Sequence, residues 1–423
     1  MSRLDLVIFG ATGFTGKNTV IHMVEFAKKY KIDSWGIAGR SQTKLDDVMK
    51  EVAQKTGADV SNVKVIIADV SNDKTLEKMC EQTKVVVNCC GPYRLYGEPV
   101  VKAAILKKTH YVDVSGEPQF MELMQLRYNE QAAEAGVFII SACGWDSIPA
   151  DMGVIFLQQN FDGILNSVRS YVTSYIPPDV MAHDEGRGVI NYGTWESLVY
   201  GIANYHELPH LRKQLYPTSL PALKPKIYRE LFHKKTGDDK YYLPFLGSDE
   251  SVVYRTQRYF HEKDQQRPVQ FKAYVRLGNW FFTSLAVLAA FILFFMSKFK
   301  FTRKLLLNYP EVFSFKKVSR RGPADIVMNN TYFTFTLVGH GWEKGGDVEN
   351  TEPNKEVIAK VSGVNPGYGA TCVALLSSAL TVLRERANMP AHSGVLTTGA
   401  AFKNTNLIKT LIENNLKYEI IEN

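Results

Sequence analysis

The chain has 423 residues, 45% of them hydrophobic and 22% charged, with a formal net charge of +7. That length supports two or three domains with sizeable cores, and the composition excludes a disordered or fibrous chain. The mild positive charge, without a recognition motif of interleaved aromatic and basic residues, argues against nucleic acid and suits a phosphorylated cofactor or an anionic membrane surface.

Leu4–Phe9 reads as a buried strand, and Lys17 to Tyr30 as a helix. Between them lie Gly10, Ala11, Thr12, Gly13, Phe14, Thr15 and Gly16. A strand, a glycine-rich turn and a helix in that order predict a dinucleotide-binding βα unit. Gly10 permits the tight turn, Gly13 lets a pyrophosphate approach the backbone, and Gly16 lets the helix pack close. A P-loop is excluded, because Ala11 stands where its first glycine belongs and Asn18 replaces the hydroxyl that would hold magnesium.

Strands follow at Trp35–Gly39, Val63–Asp69, Lys84–Cys90, His110–Ser115 and Val137–Ala142, with helices over 97–107 and 118–135. This alternation predicts an α/β fold, a Rossmann doubly wound parallel sheet over 1–150. Residues 151–423 lose the rhythm and read as a second α+β substrate and dimerisation domain. Strand-like patches fall at Val168–Ile176, Val269–Arg276 and Lys417–Ile421, and helices over 366–386 and 403–415. Five cysteines, odd in number and without metal-ligand spacing, indicate a reducing compartment and no disulfide framework. The N-terminal apolar run is too short, and too rich in glycine, to read as a signal peptide.

Leu277 to Ser297 are 21 residues without a charge, preceded by Arg276 and followed by Lys298, Lys300, Arg303 and Lys304. As a helix they would cover about 31 Å, near the thickness of a hydrocarbon core. The alternatives are a buried core helix or a dimer-interface helix. Apolar residues on every face and Trp280 near one end favour a membrane-associating segment.

Cofactor choice is read after the second strand, where Ala38-Gly39 leads into Arg40-Ser41 and no carboxylate appears before Asp46. That pattern favours NADP over NAD. Asp69 borders the adenine, and Gly91-Pro92 with Tyr93 approach the nicotinamide side. The catalytic candidates are Tyr93, a phenol on the fourth strand's turn, and Asp146, after the sixth strand. Their alternatives are packing for Tyr93 and helix capping for Asp146. Glu117, Ser147 and Asp151 are expected near the substrate pocket, with capping as the bland reading of Ser147. No metal is expected: His206-Glu207-Leu208-Pro209-His210 imitates a zinc-protease motif, but Pro209 breaks the helix that motif needs. Tyr259 and Lys263 match the short-chain dehydrogenase pair by spacing only, far from the Rossmann half.

Five segments together resemble a known family. They are GATGFTG at 10–16, AGRS at 38–41, NCCGPYRLYGEP at 88–99, DVSGE at 113–117 and GWDSIPADMG at 144–153. With GVLTTGAAF at 394–402, they are similar to the saccharopine dehydrogenase-like oxidoreductases of animals, relatives of trans-acting enoyl reductases. The resemblance implies a Rossmann domain, a saccharopine-reductase-like second domain and association with lipid droplets or membranes. The expected function is hydride transfer from NADP to an enoyl, carbonyl or imine group of a lipid-like substrate, in lipid or glycolipid metabolism, at a droplet or the cytosolic face of a membrane, mitochondrial membranes included. Two alternatives stay open: a non-catalytic nucleotide-binding droplet scaffold, and saccharopine reduction itself. A homodimer is an open arrangement. The resemblance also keeps 305–423 with the reductase fold, so 277–297 is expected to lie on or in one leaflet rather than cross.

Overall fold

The computed structural model describes residues 2–235 and 237–421. Its first sheet has seven parallel strands. β1 (Leu4–Phe9), β2 (Trp35–Gly39), β3 (Lys64–Ile67), β4 (Thr83–Asn88), β5 (His110–Asp113) and β6 (Phe138–Ile140) come from the N-terminal third. Helices α1 (Phe14–Tyr30), α2 (Gln42–Thr56), α3 (Asp73–Glu81), α4 (Tyr93–Leu106) and α5 (Pro118–Glu134) connect them, and α6 (Ile148–Asn160) leads out of β6. The strands are short Val/Ile runs because both faces are covered; Leu6, Val7, Ile8, Val85, Val86 and Val87 are wholly buried. The spatial order β6-β5-β4-β1-β2-β3 reverses direction between β1 and β4. Ligands of open α/β sheets bind at that switch point, beyond the carboxyl ends of the strands.

The second sheet is mixed. β7 (Gly163–Tyr175) lies at its centre. The short β8 (Ile190–Asn191) stands apart in a two-stranded ladder, flanked by α7 (Pro178–Met181) and α8 (Tyr192–Ala203). After α9 (Leu208–Leu215) come β9 (His233–Lys234), β10 (Tyr241–Pro244), α10 (Asp249–Asp264) and β11 (Gln270–Gly278). α11 (Trp280–Lys298), α12 (Lys300–Asn308) and α13 (Pro310–Phe313) precede β12 (Val318–Ser319), the partner of β8. α14 (Asp325–Asn329), β13 (Tyr332–Glu343) and β14 (Lys355–Val364) follow. α15 (Thr371–Arg384), β15 (Gly394–Leu396), α16 (Thr398–Phe402), α17 (Leu407–Glu413) and β16 (Lys417–Ile421) close the chain. The sheet order is β16-β14-β13-β7-β11-β10-β9. One face packs on α6, and its Phe335, Leu337 and Val361 join the core of the first sheet.

The chain crosses the division expected at residue 150. Gly394–Leu396 pairs with Phe138–Ile140 and adds the seventh strand of the nucleotide-binding sheet. α15 lies against α1, β4 and β5. It belongs to a helix apolar enough to cross a membrane, yet 78% of that stretch is buried inside the protein. α11 differs: only 11% of it is buried, and Thr283 and Ser297 are its only buried side chains. The buried-core reading of 277–297 therefore fails.

Both ends of α11 are tied to one body. Its start follows directly on β11, which pairs with β7 and β10 in the second sheet, and Lys298 donates to the Ala203 carbonyl at its end. β13 and β14 then rejoin the sheet of β7, and β15 rejoins that of β6. A membrane crossing would put those strands across a bilayer from their partners. The sequon Asn329-Asn330-Thr331, with Asn329 exposed, is therefore expected to stay unglycosylated in cells. A glycosidase-sensitive mobility shift abolished by Asn329→Gln would contradict this topology.

Candidate functional site

Gly10 has φ +78°, and a Cβ there would lie 2.9 Å from the Cys90 nitrogen. At Gly16 a Cβ would come 2.1 Å from the Gly10 carbonyl oxygen, so only glycine lets α1 approach the turn this closely. Gly13 donates its N–H to Gly10 at 2.9 Å and starts α1. The amino end of α1, with its unpaired amides and partial positive charge, faces the strand ends. Gly13, Phe14 and Thr15 line a cavity of about 2020 Å³ beside Cys89 and Gly91. Thr12 and Lys17 face an adjoining hollow of about 330 Å³, walled opposite by Asn191, Tyr192 and Arg320. The Arg320 guanidinium lies 4.1 Å from the centre of the Tyr192 ring. A helix amino end with two basic side chains around it fits a dinucleotide's phosphates. Arg320 and Tyr192 had no local signal, since they arrive from beyond the first sheet's own βα units.

At the adenosine end, Arg40 is exposed at the tip of β2. Ser41 starts α2, its hydroxyl accepting the Lys44 N–H at 3.4 Å. Asp69 accepts the backbone and side chain of Ser71, which hold its carboxyl below the usual range, with a smaller contribution from Arg40. Arg40→Asp is expected to weaken NADPH about 10–100-fold, the loss of one charge-assisted bond of about 1.5–3 kcal/mol, and to spare NADH. Titration of both nucleotides checks this; an unchanged ratio of affinities would contradict it.

The polar end of the cavity lies beyond β4, β5 and β6. α4 starts at Tyr93, four residues before the expected 97, because Glu117 caps it. The Glu117 carboxylate accepts the Tyr93 and Arg94 N–H groups, each at 2.9 Å, and the Ser197 hydroxyl at 2.9 Å. Pro92 is buried at the N-cap of α4, while the Tyr93 ring reaches the cavity. The Tyr93 hydroxyl donates to the Asn88 carbonyl at 2.8 Å and accepts the Val114 N–H at 3.4 Å. Its one proton is committed to the backbone, which sets the structure against the donor role and for the packing one.

Asp146 is half-buried and faces the cavity. Desolvation pushes its carboxyl up to about 7, partly offset by the Ser248 hydroxyl, which donates at 3.2 Å. A Cβ at Gly116 or Gly247 would lie 2.6 or 2.4 Å from its oxygens, so glycine at these two positions lets both loops close around the carboxyl. Behind it, Asp249 is wholly buried and neither of its side-chain oxygens has a hydrogen-bond partner. Burial, then the charge of Asp146, raises the Asp249 carboxyl well above its ordinary value. Asp249 escaped notice because an acid in a helix's first turn reads as an ordinary dipole partner.

The other expected pocket residues sit behind the cavity wall rather than on it. Ser147 occupies the N-cap position of α6 without capping it; its hydroxyl bonds the Asp146 carbonyl at 2.6 Å and Ser248 at 2.8 Å. Asp151 accepts the hydroxyls of Thr256 and Thr398 and the Gly399 N–H, at 2.9, 2.7 and 2.6 Å. It pins the 394–402 segment to α6. Gly116 and Pro118 line the cavity on either side of Glu117, which does not. Glu207 of the zinc-like motif forms a two-pronged pair with Arg94, both bonds 2.7 Å.

Residues 6–140 match the saccharopine dehydrogenase NADP-binding domain. A saccharopine dehydrogenase-like oxidoreductase of Mus musculus is 40% identical, covering 98% of this chain and 97% of its own. The chain belongs to the saccharopine dehydrogenase-like oxidoreductases. A Caenorhabditis elegans relative named a lipid droplet localized protein is 38% identical, over 99% of both chains. Apo saccharopine dehydrogenase (L-Glu forming) of Saccharomyces cerevisiae shares the fold, with a TM-score of 0.53 at 15% identity over 99% of this chain and all of that one. The family's NADP-binding domain agrees with the cofactor read from Arg40 and Ser41.

Proposed function

We propose that the protein is an NADP-dependent oxidoreductase acting at a lipid surface, on an enoyl, carbonyl or imine group of a hydrophobic substrate. The observation that carries the proposal is one cavity holding both the amino end of α1 and the carboxyl of Asp146. When bound, the nicotinamide supplies the hydride. Gly13 leaves room for its phosphates at the amino end of α1, with Lys17 and Arg320 beside them. Asp146, whose carboxyl burial raises above the ordinary carboxylate range, donates the proton that the reduced group takes up. Ser248 orients that carboxyl, and α8 screens the site from water on one side through Thr194, Ser197 and Leu198.

The lipid surface is inferred from α11. Phe281, Leu285, Leu288, Ile292 and Phe295 are between 48% and 58% exposed on its outer side. Phe299 and Phe301 extend the patch among Lys298, Lys300, Arg303 and Lys304. An apolar helix face with basic residues at its end suits one leaflet of an anionic surface. The name of the nematode relative agrees with that placement. Comparing lipids of cells with and without the protein tests the function. Loss of the protein should accumulate one unsaturated, carbonyl or imine lipid; an unchanged lipid profile would favour the scaffold reading.

A further inference from the structure

At helical spacing, Thr283, Ala290, Leu293, Phe294 and Ser297 fall on the side of α11 opposite the exposed patch. Thr283 and Ser297 are buried in the protein, and Ala290, Leu293 and Phe294 line the same cavity that holds Asp146. Across from them, α8 presents Ser197, Leu198, Gly201 and Ile202 to that cavity. α11 is thus apolar on both sides: one faces outward and the other walls the site. The cavity, at about 2020 Å³, is twice the upper end of ordinary small-molecule sites, about 300–1,000 Å³. A dinucleotide leaves room for a second large ligand.

We propose that the crevice between α8 and α11 is a loading passage, through which a long-chain lipid moves from the surface into the site. Its hydrocarbon tail lies against Leu198, Ile202, Ala290, Leu293 and Phe294, and its reducible end points toward Asp146. This rests on the lipid-surface reading above and adds the substrate class: a single long apolar chain with its polar, reducible group at one end. An aliphatic chain fits because the crevice side chains are apolar, and the helix that meets the lipid phase also forms the wall.

The test uses the full-length protein and cis-parinaric acid, a long-chain polyene whose fluorescence rises in an apolar site. The unmodified protein should bind it saturably, and oleyl alcohol should displace it while octanoate does not. Ala290→Trp fills the crevice from within and should weaken parinarate binding at least about 10-fold. The same variant should keep NADPH affinity and flotation with triolein droplets coated in phosphatidylcholine and phosphatidylserine. Leu198→Trp, from the opposite wall, should do the same and serves if Ala290→Trp does not fold. Parinarate bound equally well by both variants, or displaced equally by octanoate, would overturn the passage and leave the lipid-surface reading standing. Failure of the unmodified protein to float would overturn both.

Discussion

Asp146→Asn is expected to lower turnover about 10²–10⁴-fold while leaving NADPH affinity within a few-fold, since general acid catalysis contributes that much. Asparagine keeps the shape and the Ser248 contact but carries no acidic proton. In the unmodified enzyme, turnover should fall as pH rises through about 7, the value to which desolvation pushes this carboxyl. Stability follows the same sign. The folded-state pKa lies above the unfolded value of about 4, so protonation favours the fold. That contribution is complete below about pH 4 and is lost as pH rises through about 7. Asp146→Asn should flatten the decline in denaturation midpoint between pH 5 and 8. Asp113, whose carboxyl burial raises to about 6, leaves a residual slope. Turnover unaffected by the substitution would remove Asp146 from the chemistry.

The pair Leu288→Asp and Phe295→Asp should release the protein from droplets. These side chains lie seven residues apart on the outer side of α11, 54% and 48% exposed. Each removes about 1 kcal/mol of apolar transfer. Each carboxylate carried into hydrocarbon costs a further 2.5–3.5 kcal/mol, by about the scale for helix insertion. Together they should lower droplet partition about 10³-fold or more, read by flotation. Circular dichroism and NADPH binding should not change, because both side chains point away from the fold. Undiminished flotation would mean another surface meets the lipid.

The Rossmann half was legible because its information is local. Each strand is a Val/Ile run, and Gly10, Gly13 and Gly16 stand in one turn where close backbone approach demands them. The segment 277–297 was legible as apolar, but its placement was not. Only the folded chain shows that Thr283 and Ser297 face inward while Phe281 and Leu288 stay uncovered. What escaped the sequence is set by long-range partners. α4 begins at Tyr93 because Glu117, at the end of another strand, caps it. β15 is three residues long and finds β6 more than 250 positions away. Asp249 and Arg320 look like ordinary surface charges until the second sheet brings one behind Asp146 and the other beside the glycine turn. Asp151, read as a pocket acid, is instead the anchor of 397–399, a role no spacing could announce.

Hydride transfer to a lipid by this site can be followed by isotope. The most direct measurement incubates the purified, droplet-bound protein with NADPH deuterated at its transferable position, then analyses the droplet lipids by mass spectrometry. Deuterium should enter one lipid class, in step with NADPH consumption, and at least about 10²-fold more slowly with Asp146→Asn. NADPH bound by the protein while no lipid acquires deuterium would contradict it.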